Sequence, residues 1–170
     1  MIKVLFVCLG NICRSPLAEG VFKKMTSEAG LSDKILCDSA GTAGYHTGEL
    51  PDRRTIKIAR QHGIELDHLA RKLKPQDLTE FDYILAMDKS NMEDILKLKS
   101  KTTETRAEIF LFRFFDDDQQ NGDVPDPYYG NMEDFELVYK ISLRCSEAFL
   151  RYLKERHHLQ HYGYRTFDKS

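Results

Sequence analysis

Residues 3–16 read Lys-Val-Leu-Phe-Val-Cys-Leu-Gly-Asn-Ile-Cys-Arg-Ser-Pro, and their reading decides the fold. Lys3–Val7 is a short, nearly continuous apolar run, the pattern of a strand buried on both faces. Pro16–Ala29 places Leu17, Val21, Phe22 and Met25 at helical spacing, with Gly30 ending the helix. The chain between them must therefore turn from a strand into a helix across Cys8–Ser15. Outward from this unit the alternation repeats. Strands are expected at Ile35–Ser39, Tyr83–Met87 and Glu108–Phe112, and helices at Asp52–His62, roughly Asn91–Leu98, and Phe135–Arg156. The last helix carries an apolar stripe through Phe135, Val138, Ile141, Cys145, Phe149 and Tyr152. Four strand–helix alternations predict an α/β fold of three layers, a parallel sheet with helices on both faces. In such sheets ligands bind beyond the carboxyl ends of the strands, where strand order reverses. Cys8 stands at such an end.

A strand–turn–helix with this composition is suited to an anion. Backbone N–H groups of the turn and of the helix N-terminus point inward as a cradle. Gly10 and, less freely, Asn11 tolerate positive φ. Arg14 offers a planar fork of donors to two anion oxygens. A thiol in a ring of such donors is favoured as its thiolate, the nucleophilic form, and Ser15 is placed to donate to its sulfur. Cys145 and Arg151 repeat the Cys-x5-Arg spacing inside the last helix, with no glycine and no turn. Cys145 reads there as a small core residue.

The remaining composition sets bounds. The 170 residues fit one domain, expected over 1–156, with 157–170 as a solvated C-terminal extension. A net charge of −2 argues against nucleic acid. The N-terminal apolar run is too short for a signal peptide, and nothing approaches a membrane span. Cys8, Cys13, Cys37 and Cys145 match no zinc spacing and are expected as thiols in a reducing, cytoplasmic setting. No metal or other cofactor is expected. Phe115–Asn131 is the one long irregular stretch, of a length that marks functional loops. Its acidic run Asp116–Asp118 reads as solvated. Asp123 and Asp126 are both candidates for a proton donor on chemistry alone.

Val-Cys-x-Gly-Asn-Ile-Cys-Arg-Ser-Pro together with Asp126-Pro-Tyr-Tyr-Gly130 resembles the low-molecular-weight protein tyrosine phosphatase family. The likeness runs from Lys3 to about Lys154, through Asp38-Ser-Ala-Gly41, His62-Gly-Ile64, His68-Leu-Ala-Arg71 and Phe81–Asp88. It implies four parallel strands in flavodoxin-like winding and hydrolysis of phosphotyrosine and small aryl phosphates through a phosphocysteine. Cys8 would be the nucleophile, Arg14 the clamp and Asp126 the general acid and then base. Leu9, Gly10, Asn11, Ile12, Cys13 and Ser15 would complete the phosphate loop. The resemblance also implies that Ser39 and His68 hold Asn11, with Glu19 pairing to His68 and favouring its charged form. Tyr128, Tyr129 and Tyr45 would rim a slot too deep for phosphoserine. Cys13 would form a reversible disulfide with oxidised Cys8. The implied partners are tyrosine-phosphorylated proteins, with inorganic phosphate as product inhibitor.

Three rivals are set against this. Arsenate reductases on the same fold relay a disulfide through further cysteines, and this chain has none between 38 and 144. Protein arginine phosphatases typically carry threonine where Ile12 stands and lack the Asp-Pro-Tyr-Tyr-Gly run. A silent phosphate-binding module would lack the nucleophile or the acid. The chain departs from the family beyond residue 156. There His157 and His161, spaced i, i+4, read as part of a solvated tail rather than a metal pair.

Overall fold

The computed structural model describes residues 1–159. Four strands, β1 (Ile2–Cys8), β2 (Ile35–Gly41), β3 (Tyr83–Ala86) and β4 (Glu108–Leu111), form one parallel sheet in the order β2-β1-β3-β4. The chain steps from β1 to one side and returns to the other, so order reverses at β1. Both neighbours flank its carboxyl end, with Cys8 level with Gly41 and Val7 level with Ala86.

Among the described residues five α-helices cover the sheet: α1 (Arg14–Glu28), α2 (Arg53–Gln61), α3 (Pro75–Glu80), α4 (Lys89–Ser100) and α5 (Met132–Arg156). The strand period of two divides the core. Val4, Phe6 and Cys8 face α1, α2 and α5, whereas Leu5 and Val7 face α3 and α4. On the first face Phe6, Phe22, Phe112 and Phe149 are fully buried and meet at ring angles from edge-on to tilted. Each such burial stabilises by roughly 1.5–3 kcal/mol.

The expected strands and long helices are present. Helix α1 starts at Arg14 rather than Pro16, because the loop tightens straight into the first turn at Cys13. Two elements differ from expectation. Pro75–Glu80 forms a helix too short to show a period, held by the capping carboxylate of Asp77. Phe112–Phe115 is a 3-10 turn rather than the end of β4.

Asp116 was expected in solvent with Asp117 and Asp118. It is instead buried, accepting hydrogen bonds from Arg113 and Arg144, while its two neighbours are exposed. Cys145 is in the core, as its stripe position implies. At the C-terminus, His157 caps α5 and accepts or donates at 2.7 Å to the Tyr83 hydroxyl, and Leu159 packs on the core. The rest of the extension, residues 160–170 including His161, lies outside the described residues.

Candidate active site

Cys8 ends β1 at the floor of a cavity of about 300 Å³. Its sulfur is 3.3 Å from the Asn11 amide nitrogen and 3.0 Å from Ser15 Oγ. The N–H groups of Gly10, Ile12 and Cys13 find no acceptor among the described residues. They are the unspent donors an anion would use, at the positive end of α1.

Asn11 has φ 57°, in the left-handed region that costs a side-chain-bearing residue. Its amide is held on every side. Oδ1 accepts from Arg71 N–H at 3.0 Å, so His68 Nε2, 2.7 Å from the same oxygen, must also donate. Nδ2 donates to Ser15 Oγ at 2.8 Å and to Ser39 Oγ at 3.0 Å. With those lone pairs filled, the Ser15 hydroxyl proton is free for the Cys8 sulfur, and Ser39 donates to Glu19 Oε1 at 2.6 Å. One strained amide thus sets the direction of two hydroxyls.

Behind it, His68 Nδ1 faces Asp38 Oδ1 at 3.4 Å and Glu19 Oε1 at 3.5 Å. The expectation that Glu19 keeps His68 charged fails. Burial takes His68 below its ordinary range; Asp38 opposes this and Arg71 adds to it. Burial also raises Glu19 to about 7, against the lowering hydrogen bond from Ser39. Glu19 is therefore only partly ionised near neutrality, which lessens the negative charge facing Nδ1. Glu19, Asp38 and His68 bring donor atoms within 4.8 Å of one another. Arg71 pairs with Asp38 and, through both of its Nη atoms, with the buried Asp77.

Arg14 is buried, and its Nη1 donates to Asp88 Oδ2 at 2.7 Å and to the Val124 carbonyl at 3.0 Å. Nη2 points at Asp126 Oδ2, 3.7 Å away. Burial works against the guanidinium charge, but Cys8, Asp88 and Asp126 outweigh it and hold Arg14 above its usual range. Asp88 was missed from sequence as the clamp's orienting partner, although it ends a quoted stretch. It does two jobs, since Oδ1 also caps α4 at the Asn91 N–H.

Asp126 Oδ1 accepts the Tyr128 N–H at 3.1 Å, an Asx turn. Tyr128 and Tyr129 are set edge-to-face at 4.9 Å on one wall, and Tyr45 stands on the cavity lining with them. His46, not singled out from sequence, also lines the cavity over Gly10. Cys13 lines it as well. Burial, then Asp52 and Cys8, push the Cys13 thiol up to about 12. All four cysteines are free thiols.

A sequence model of low molecular weight phosphotyrosine protein phosphatase matches residues 3–159. The chain belongs to that family. A mouse (Mus musculus) low molecular weight phosphotyrosine protein phosphatase is 47% identical over 148 residues, covering 87% of this chain and 93% of the mouse protein. A protein tyrosine phosphatase crystal structure from Entamoeba histolytica superposes with TM-score 0.83 at 39% identity, over 92% of this chain and 99% of that one. A Drosophila arginine phosphatase superposes equally, TM-score 0.83 at 35% identity, over 90% and 98%.

In this low-molecular-weight phosphatase, the loop residues 8–15, Asp126, Tyr45, Tyr128 and Tyr129 converge on one end of the sheet. Ser39, His68 and Glu19 lie directly behind Asn11. Sequence reasoning also missed Arg113. Its Nε bonds Asp116 at 2.9 Å, its Nη1 bonds the Asp123 carbonyl at 3.0 Å, and its own carbonyl accepts Asn121 N–H at 2.9 Å. Asp123 in turn accepts Lys89 N–H, and Val124 N–H bonds Met87 O. The irregular stretch before Asp126 is thereby fixed to β3, α4 and α5. The sequence signal was slight: one cation among phenylalanines, three residues before the aspartate run.

Proposed function

We propose that the protein hydrolyses phosphotyrosine monoesters in two steps, with Cys8 as nucleophile, Arg14 as clamp and Asp126 as acid and base. The single observation that supports this most is the position of the Cys8 sulfur. It lies at the floor of a slot whose other polar walls are a buried guanidinium and a half-exposed carboxyl. The sulfur attacks phosphorus opposite the phenol oxygen, and that P–O bond breaks as Asp126 gives the oxygen its proton. Arg14 and the loop N–H groups hold the three equatorial oxygens as charge shifts in the transition state. Asp126, now a carboxylate, takes a proton from water as that water attacks phosphocysteine. The S–P bond breaks, phosphate leaves, and thiolate and acid are restored.

Tyr45, Tyr128 and Tyr129 suit an aryl ring standing in the slot. Tyrosine-phosphorylated proteins are the substrates on this reading, phosphate is a competitive product, and the setting is cytoplasmic. Among the described residues no helix is long and apolar enough to cross a membrane. Cys13 sits on the same cavity wall, which supports a disulfide with Cys8 after oxidation of the latter.

The Drosophila relative makes phosphoarginine the rival substrate. Rates on phosphotyrosine, phosphoserine and phosphoarginine peptides separate the two, and phosphotyrosine is expected to lead. Cys8→Ser should abolish turnover and keep phosphate binding. Turnover near wild type would move the nucleophile elsewhere.

A further inference from the structure

Helix α2 carries Arg53, Arg54, Lys57 and Arg60 and no acidic residue. Cations in a first turn oppose the helix dipole, so the two leading arginines call for a reason. Arg54 has one. Asp52 accepts its Nε and Nη2 at 3.0 and 2.9 Å, and its guanidinium lies 5.7 Å over the Tyr128 ring. Arg53 has none. Every other arginine among the described residues has a carboxylate partner. Lys57 likewise has no carboxylate partner there. Arg60 meets Glu65 at 3.3 Å in a pair exposed on both sides, an arrangement worth little.

Spacing of i, i+4 and i+7 puts Arg53, Lys57 and Arg60 on one stripe. The three share a shallow groove with the half-buried Ile56. Of the three, Lys57 also lines a second groove, which holds Glu133 and Glu136 of the packed helix α5. Glu136 is held there by His62. In a chain of net charge −2, this stripe is a local reversal of sign.

Its location is tied to the slot. Asp52 N–H donates to Ile12 O of the phosphate loop, and Arg54 reaches Gly130 O beside the tyrosine wall. The stripe therefore begins next to the slot's mouth. It runs away from it for about 10 Å along the helix, the length of about three residues of extended peptide.

We infer that Arg53, Lys57 and Arg60 receive an acidic segment flanking the phosphotyrosine of the protein substrate, so that the enzyme selects phosphotyrosines with glutamates or aspartates on one side. The inference rests on the phosphatase reading above. The phosphate goes to the loop, the ring to the tyrosine slot, and the flanking carboxylates to the cations. Ile56 offers the intervening aliphatic stems an apolar floor.

The test compares wild type with R53Q/K57Q/R60Q on four substrates: a small aryl phosphate, a phosphotyrosine peptide flanked by glutamines, and two peptides with three glutamates on one flank or the other. Wild type should favour one glutamate-flanked peptide in kcat/KM by roughly fivefold at low salt, the scale of two exposed ion pairs. The preference should fade near about 0.5 M salt, where screening is short. The variant should keep its rates on the aryl phosphate and the glutamine peptide and lose the preference. No preference in wild type overturns the inference alone, as does a variant that keeps it or one that slows equally on all substrates. Binding of wild type but not variant to anionic lipid vesicles, with flat peptide selectivity, also overturns it by assigning the stripe to a membrane surface. Failure of wild type to hydrolyse the aryl phosphate removes the phosphatase reading and this inference with it.

Discussion

Replacing Gly41 with alanine should damage the phosphate loop without touching a residue of the proposed chemistry. Gly41 ends β2, level with Cys8. A Cβ there would stand 2.7 Å from Leu9 O, 3.0 Å from Ala43 O and 3.1 Å from the Asn11 nitrogen. All three are backbone atoms, so no side chain can swing away. Gly41 itself is pinned, donating to Arg71 O and accepting from Leu73 N. The loop must therefore retreat, by about 0.5–0.7 Å to reach ordinary contact. Overpacking of this kind costs about 1–3 kcal/mol of stability. The same movement pulls Asn11 from Cys8 and its neighbours out of register with an anion. A misplacement on this scale lowers turnover by up to about 100-fold, and inorganic phosphate should bind about tenfold more weakly. Gly44→Ala is the control, since its Cβ meets Lys72 and Thr47 side chains at an ordinary 3.4 Å. Its stability should stay within about 0.5 kcal/mol of wild type. Chemical denaturation and inhibition by phosphate measure both effects. If the two alanine variants behave alike, the claim that Gly41 exists to let the loop approach is refuted.

Arg113→Met leaves the buried Asp116 with Arg144 as its one cationic partner among the described residues, beside the Asp118 N–H, and should cost about 2–4 kcal/mol in denaturation. It should slow poor leaving groups more than good ones, because the Asp123–Asp126 segment loses its brace; equal slowing of both would make its role merely structural. Asp126→Ala should show the same leaving-group contrast more strongly, with little change in phosphate inhibition, and a uniform loss across leaving groups would remove Asp126 as the acid. Glu19→Gln tests the proton behind Asn11. Because Glu19 is raised to about 7, it contributes stability fully present below its unfolded pKa and lost as pH rises from about 4.5 through 7, on the order of 3 kcal/mol. The glutamine variant should lack that decline. What remains is the opposite slope of His68, whose lowered pKa gives stability present above about 6.5 and lost as pH falls. Stability measured against pH that still declines across this window in the variant would place the proton elsewhere.

The parts legible in sequence were those written locally. A buried strand must be apolar throughout, and a loop that cradles an anion needs glycine, a residue tolerant of left-handed backbone and an arginine in sequence order. Residues 3–16 therefore announced β1, α1 and the site between them. Pro75–Glu80 escaped because six residues show no helical period. Asp116 escaped because three consecutive aspartates look alike until Arg113 and Arg144, from two other elements, choose one of them. The charge of His68 was misjudged for a related reason. The carboxylate beside it was legible through resemblance, but the burial that protonates that carboxylate belongs to the packing.

Three aspartates compete for the role of proton donor near Arg14, and their commitments separate them. Asp88 spends both oxygens, Oδ2 on Arg14 and Oδ1 on the α4 cap, and its side chain is only 20% exposed. Giving it a proton would loosen the clamp that the phosphate needs. Asp123, equal to Asp126 on sequence chemistry alone, has Oδ1 on the Lys89 amide and does not line the cavity. Asp126 has one oxygen in its own turn, and the other lies 3.7 Å from Arg14, too far for a hydrogen bond, with the side chain 47% exposed into the slot. Of the three, only Asp126 both lines the cavity and keeps an oxygen free of any hydrogen bond. Its position supports the assignment because the neighbouring carboxylates are already occupied in holding Arg14 and the loop still.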